Sequence, residues 1–350
     1  MDYRCRSLPG ALRGLALALA GLIAVSGVAT ANEPGVLETY PGELIDVDGR
    51  AMHINCVGSG QPVTLFESGL GGFSLEWGEV QRRVAAQGRV CAYDRAGYGW
   101  SDPGPMPRTV TRNVAELHRL LEAAGETPPY VLVGHSYGGI IVRLFAQSYP
   151  DEVAGLVLLD ASAPDQFSRL PDTALPRTLI AAARGGAPLR TAPRLVAALD
   201  ADVRTTAMHL MMLPKARLAY RSEMTHFESA TSELRSQRDG ALEVPLVVVS
   251  RSRNMFGRSA EAVRTESLWQ QMQREMAALS TRSDHWMAAD AGHVIHADRP
   301  DLVALAVREA AAYGRFNPRA PDASSVRLVL SAHEFVPSTW HGIAVQGPNL

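Results

Sequence analysis

The chain has 350 residues, of which 46% are hydrophobic and 20% charged, with a net charge of −2. This composition excludes bulk disorder and collagen-like repeats, and the near-neutral balance offers no basic field for nucleic acid. Three cysteines are too few for a disulfide scaffold or a Cys-rich metal site.

The first segment reads as an address. Arg4, Arg6 and Arg13 flank the start of an apolar run, Leu15 to Val28, that ends in Ala29-Thr30-Ala31. A basic start, a short apolar middle and an A-x-A site are the parts of a secretory signal peptide. The run is short and Gly-rich for a membrane span of about 20 residues, so an uncleaved anchor is the weaker reading. Residues 1–31 are expected to be removed after Ala31 and the rest exported, to the periplasm or beyond, with no stable membrane span. Cys5 leaves with the signal. Cys56 and Cys91 remain in a compartment that permits disulfides, where the alternative is two buried free thiols.

Glu43–Val47 and Ala51–Val57 alternate around Asp48-Gly49, a hairpin turn signal. Val63–Glu67 is a short apolar strand that runs into Ser68-Gly69-Leu70-Gly71-Gly72. Ser74–Gln87 has helical spacing, Arg89–Tyr93 reads as a strand, and Val110–Ala124 is an amphipathic helix stopped by Gly125. Tyr130–Val133, Val153–Leu159 and Leu246–Val249 are buried strands, and Gly138–Ser148 is a helix. Glu261–Leu279 is helical, Trp286–Ala288 a short strand and Asp301–Ala312 a helix. Apolar strands alternating with helices imply a mostly parallel sheet covered on both faces.

Between Pro164 and Leu242 that rhythm stops, and only helical segments such as Leu195–Asp202 and Thr206–Met212 appear. An insertion between sheet strands belongs at their C-terminal edge, above the ligand crevice. Residues 164–242 are therefore expected to form a helical cap. Met208, Met211 and Met212 are read as core packing in preference to an acyl pocket lining. Residues 316–350 are expected to be poorly ordered or loosely packed, with Val326–Leu330 a stray strand at most.

Gly134-His135-Ser136-Tyr137-Gly138 follows a strand and opens a helix. This is G-x-S-x-G in the strand-turn-helix setting that gives it meaning. The sharp turn needs glycines, lifts the serine hydroxyl above the sheet, and aims free helix N–H groups at a developing oxyanion. Ser136 is the expected nucleophile; the competing reading is a Gly-rich turn that only packs.

These residues make the chain resemble the α/β-hydrolase superfamily, from about Glu43 to Ala312. Asp94-Arg95-Ala96-Gly97-Tyr98-Gly99-Trp100-Ser101 is similar to the family's D-x-x-G-x-G-x-S turn, and Ala291-Gly292-His293 to its catalytic G-H. Ser68–Gly72 stands at the oxyanion loop, with Ser68 where the family often has histidine. The resemblance implies an α/β fold with a mostly parallel eight-stranded sheet. The core would be 32–163 and 243–315, helices lying on both faces, and the cap would insert between them.

On that basis His293 is the expected base among ten histidines. His296 is its main competitor, His285 is placed at the edge of the last strand, and His135 points elsewhere. The acid is harder to place. No carboxylate follows Val249 before Glu261, whereas Leu158-Leu159-Asp160 ends the preceding strand with one. Asp160 is preferred, with Glu261 and Asp165 as alternatives. The resemblance assigns the backbone N–H groups of Leu70 and Tyr137 to the oxyanion hole. Asp94 and Arg95, charged residues in a Gly-rich turn, are read as structural, a turn-closing ion pair or hydrogen-bond network; the resemblance puts Cys56 and Cys91 on neighbouring strands within disulfide reach. The implied activity is hydrolysis of a small-molecule carboxylic ester through an acyl-enzyme, without metal or organic cofactor. Amidase, thioesterase or acyltransferase chemistry with the same residues stays open, as does a non-catalytic binding protein on this fold. The sequence is silent on oligomeric state.

Overall fold

The computed structural model describes residues 40–171, 199, 201–236, 242–316 and 326–329. The expected signal segment, the start of the Leu195–Asp202 helix and the residues after 329 lie outside these. No helix among the described residues is long and apolar enough to cross a membrane.

Among the described residues nine strands form one sheet: β1 (Glu43–Val47), β2 (Arg50–Val57), β3 (Val63–Glu67), β4 (Val90–Tyr93), β5 (Tyr130–His135), β6 (Val153–Leu159), β7 (Leu246–Arg251), β8 (Ser283–Ala288) and β9 (Val326–Val329). Their spatial order is β1-β2-β4-β3-β5-β6-β7-β8-β9. The β1–β2 and β2–β4 pairs are antiparallel and the rest parallel. The first eight make the expected α/β-hydrolase sheet. The ninth, at the edge beside β8, gives Val326–Val329 a partner that the weak local pattern does not disclose. Cys56 and Cys91 face each other in the β2–β4 register and are joined by a disulfide.

β3 and β5 are buried along their whole length, so both faces must be covered. On one face lie α2 (Val110–Ala123), α3 (Gly138–Ser148) and α8 (Ala260–Ala277), through residues such as Leu117, Ile141 and Met272. On the other lie α1 (Gly78–Ala85) and α10 (Pro300–Phe316), through Val80, Leu302 and Val307. α2 begins where Thr109 accepts a hydrogen bond from the Arg112 N–H and buries Val110, Val114, Leu117 and Leu121 on one stripe. Gly155 in β6 brings α10 close: a Cβ there would sit 2.9 Å from the Ala310 carbonyl oxygen.

Between β6 and β7 the chain leaves the sheet for α4 (Gln166–Arg169), α5 (Ala201–Met212), α6 (Pro214–Thr225) and α7 (Phe227–Ser236). α7 packs on α3 through Phe227, Ala230 and Leu234. α5 and α6 pack through Ala207, Leu210, Ala219 and Tyr220 against Phe73, Tyr98 and Trp100. The methionine reading needs correction. Met208 and Met212 are 56% and 53% exposed, and only Met211 turns toward this cluster. One more short helix, α9 (Ile295–Asp298), links β8 to α10.

Candidate active site

β5 runs two residues further than its apolar core, through Gly134 and His135, and delivers Ser136 at the sheet's C-terminal edge. Ser136 has φ +52°, the left-handed region that non-glycine residues seldom adopt. The turn closes because its neighbours lack side chains. A Cβ on Gly134 would lie 2.6 Å from Val142, and one on Gly138 2.5 Å from the Glu67 carbonyl oxygen. The backbone is held from β6: Ser136 N–H donates to Leu159 O, and Ser162 N–H to Ser136 O.

The loop after β8 brings His293 to this turn. Its Nε2 is 3.0 Å from Ser136 Oγ and its Nδ1 2.6 Å from Asp160 Oδ2. The three groups the sequence selects thus form one hydrogen-bonded line. Such a line can pass a proton from the hydroxyl to an imidazole whose other nitrogen is tied to a carboxylate. Asp160, just past β6, is wholly buried and has φ +41°. Trp269 Nε1–H donates to Oδ1 at 2.7 Å, and Arg251 donates to Oδ2 at 2.6 Å. Burial alone would raise this carboxyl. The Arg251 charge and the bonds from His293 and Trp269 outweigh burial and hold it well below the ordinary carboxylate range.

The other candidates stand elsewhere. Glu261 is exposed in the first turn of α8, and Asp165 pairs with Arg169. His285 lies inside β8, which starts earlier than its apolar residues suggest because Ser283 and Asp284 pair with β7. Its Nε2 is 2.8 Å from Ser250 Oγ. His135 is buried and kept neutral by that burial and by His293, its pKa pushed down to about 3. Its Nε2–H donates to the His293 carbonyl at 2.8 Å, so it braces the loop carrying His293. His296 stacks on Trp77 with ring centroids 4.3 Å apart.

Ser68–Gly72 sits against the serine turn: a Cβ on Gly69 would lie 3.4 Å from Ser136 Cβ. Trp77 Nε1–H donates to Ser68 Oγ at 2.8 Å. Among the described residues, the N–H groups of Leu70 and Tyr137 have no backbone acceptor in the turns and loops. Asp94 and Arg95 find separate partners. Asp94 accepts from Ser74 N–H, Trp100 N–H and the His53 ring. Arg95 pairs with Glu67 and with Glu223 of α6.

Glu76, His135 and His296 bring ligand-type atoms within 4.8 Å of one another behind the turn. Burial pushes the Glu76 carboxyl up to about 8 against the pull of Ser68, so at neutral pH it carries a proton it can donate within this group.

Sequence reasoning missed Arg251, Trp269 and Glu223. A signal for Arg251 exists: it ends β7, where a carboxylate was sought, and a base there complements an acid one strand away.

A sequence profile described as "Alpha/beta hydrolase family" matches residues 65–307. The chain is 29% identical over 266 residues to the uncharacterized protein YqjL of Bacillus subtilis, covering 75% of this chain and 88% of that one. It is 30% identical over 257 residues to the lipase LipV of Mycobacterium tuberculosis, covering 70% and 90%. Among solved structures it is similar to a thermophilic esterase from Thermogutta terrifontis, with a TM-score of 0.55 and 23% identity over 77% of this chain and 96% of that one. An enol-lactonase from Burkholderia xenovorans matches at a TM-score of 0.56 and 19% identity, covering 75% and 97%.

Proposed function

The chain belongs to the alpha/beta hydrolase family, and from that membership we propose that it is an exported serine hydrolase that cleaves a carboxylic ester. The observation that carries the reading is the line Ser136 Oγ, His293 Nε2, His293 Nδ1, Asp160 Oδ2, with contacts of 3.0 and 2.6 Å. Ser136 attacks the acyl carbon while His293 takes its proton at Nε2. Asp160 keeps the Nδ1 proton in place and stabilises the imidazolium without accepting that proton. The N–H groups of Leu70 and Tyr137 receive the oxyanion; one such donor is worth about 2.7–4 kcal/mol of barrier. The imidazolium protonates the departing alkoxide. Water, deprotonated by the same imidazole, then releases the acid. These steps use protein groups and water alone.

The choice of an ester is supported by relatives named a lipase and an esterase. In this reading residues 164–242 act as the cap, which the packing of α5 and α6 on Phe73, Tyr98 and Trp100 supports. Export is supported by the Cys56–Cys91 disulfide and by the composition of residues 1–31.

Hydrolysis of p-nitrophenyl esters from C2 to C16 tests the reading, with Ser136→Ala, Asp160→Asn and Glu261→Gln beside wild type. Turnover by wild type and Glu261→Gln, with Ser136→Ala inactive and Asp160→Asn impaired, is the expected result. Absence of turnover together with no fluorophosphonate labelling of Ser136 would return the chain to the non-catalytic reading. A mature N-terminus at Asn32, read by mass spectrometry, is expected if the signal is cut after Ala31.

A further inference from the structure

Arg95 is buried between the sheet edge and α6, and a guanidinium has five N–H donors. All five are used. Nε and one NH2 proton go to the two oxygens of Glu223, at 2.9 and 3.1 Å. One NH1 proton goes to Glu67 at 2.5 Å. The remaining two go to backbone carbonyls of the oxyanion loop: Ser68 O at 2.7 Å and Gly69 O at 2.9 Å. Glu223 is itself fixed, accepting from Tyr98 Oη–H at 2.8 Å and from Asn113 at 3.0 Å.

The Gly69 carbonyl and the Leu70 N–H belong to one peptide unit. That unit is planar, and in the trans form its C=O and N–H point opposite ways. The oxygen takes two donors, the Gly72 N–H at 3.1 Å and the cationic Arg95, and the stronger, charged one fixes its direction and with it that of the N–H. It also polarises the peptide, which strengthens the N–H as a donor. Glu223 supplies the orientation, because it holds the guanidinium edge that bears Nε and leaves the outer protons facing the loop.

We propose that Arg95 is a positioning residue for the oxyanion hole, and that Glu223 of the cap sets it, so that a docked α6 is a condition for an aligned Leu70 N–H. This rests on the serine-hydrolase reading for its catalytic consequence, but the mechanical tie between α6 and the loop stands independently of it. A lysine at position 95 keeps the charge but has three donors on a single atom, so it cannot span both carbonyls and both carboxylates.

The test uses the full chain, with Glu223→Gln, Arg95→Lys and the control Glu126→Gln. The control breaks a different ion pair, Arg89–Glu126, which has no bond to the loop, Arg95 or Glu223. Hydrogen exchange reads the tie directly. Amides in Gly69–Gly72 are expected to exchange at least about tenfold faster in the first two variants and unchanged in the control. The burst of p-nitrophenyl acetate counts active sites. Turnover per counted site is expected to fall about tenfold in Glu223→Gln and about 10²-fold in Arg95→Lys, with KM within about threefold, as for an interaction made in the transition state. The control is expected to lose melting temperature alone. Unchanged loop exchange, or wild-type turnover per counted site in both variants, overturns the proposal. A wild type that neither turns over p-nitrophenyl acetate nor is labelled by a fluorophosphonate removes the hydrolase reading instead, and the exchange result then still decides the tie.

Discussion

Replacing Asp160 by asparagine gives a result that depends on Arg251. Every group around the Asp160 carboxylate is a donor. His293 Nδ1 and Arg251 meet Oδ2, each at 2.6 Å, and Trp269 Nε1–H meets Oδ1 at 2.7 Å. A carboxamide has one oxygen, so its NH2 must oppose a donor on one side. A charge-assisted bond is worth about 1.5–3 kcal/mol and a neutral one about 0.5–1.5. The oxygen therefore turns to Arg251 by about 1–2 kcal/mol, and the NH2 faces Trp269. In that orientation His293 keeps its proton on Nδ1, and the loss is confined to the carboxylate charge. Two unit charges about 4 Å apart at an effective dielectric of about 20 attract by about 4 kcal/mol, part of which the amide dipole retains. Turnover is expected to fall about 10²- to 10³-fold, short of the roughly 10⁴-fold typical when the imidazole tautomer inverts. The assay is kcat per burst-titrated site, in the single variant and in a Trp269→Phe background. That background removes the opposing donor and is expected to restore part of the stability lost. A loss of 10⁴-fold or more, unchanged by Trp269→Phe, would show that the NH2 faces His293 and that Arg251 does not orient this group.

Other consequences are open to measurement. Opening the Cys56–Cys91 bond, 35 residues apart in sequence, is expected to cost up to about 4 kcal/mol by loop-closure entropy; the melting temperature of the Cys56→Ser, Cys91→Ser chain checks it, and free-thiol counts equal with and without reductant would remove the bond itself. Burial raises the Glu76 carboxyl from 4.5 to about 8, so the folded state holds a proton that the unfolded chain has lost. Stability then falls as pH rises across that window, and Glu76→Gln, which has no such proton, is expected to gain on wild type steadily from pH 5 to pH 8 in denaturant titrations. Gly138→Ala places a Cβ 2.5 and 2.7 Å from the Glu67 and Ser68 carbonyl oxygens. It is expected to cost about 1–3 kcal/mol in denaturant titrations and to lower turnover per titrated site by displacing the loop base.

The sheet is legible where a strand is apolar on both faces: β3 and β6 fall where the sequence pattern puts them. β8 is less so, because Ser283 and Asp284 join it by pairing with β7 rather than by any preference of their own. β9 is four residues that gain their definition from β8. In the site, Ser136 is readable because its strained turn demands glycines in fixed places, and Asp160 because a lone carboxylate ends a buried strand. The neighbours that tune them are not readable. Arg95 meets Glu223 across 128 positions of chain, and Asp160 meets Trp269 across 109. No local periodicity encodes such a meeting. α5 misleads for a related reason: its methionines repeat at helical spacing, yet two of the three face outward.

Asp160, the proposed acid, lies just past β6, before the chain departs into residues 164–242. Ser136 and Asp160 therefore flank one strand-helix-strand unit, β5, α3 and β6, to which β7 adds the Val249 carbonyl that accepts the Asp160 N–H. An acid at the end of β7 would have had the whole excursion threaded between it and the nucleophile. Here the excursion can lengthen, shorten or be exchanged for another without altering the distance between those two groups. A graft of a foreign segment between β6 and β7 then has one specification to meet beyond fitting the surface. It must present a carboxylate to Arg95 where Glu223 now stands.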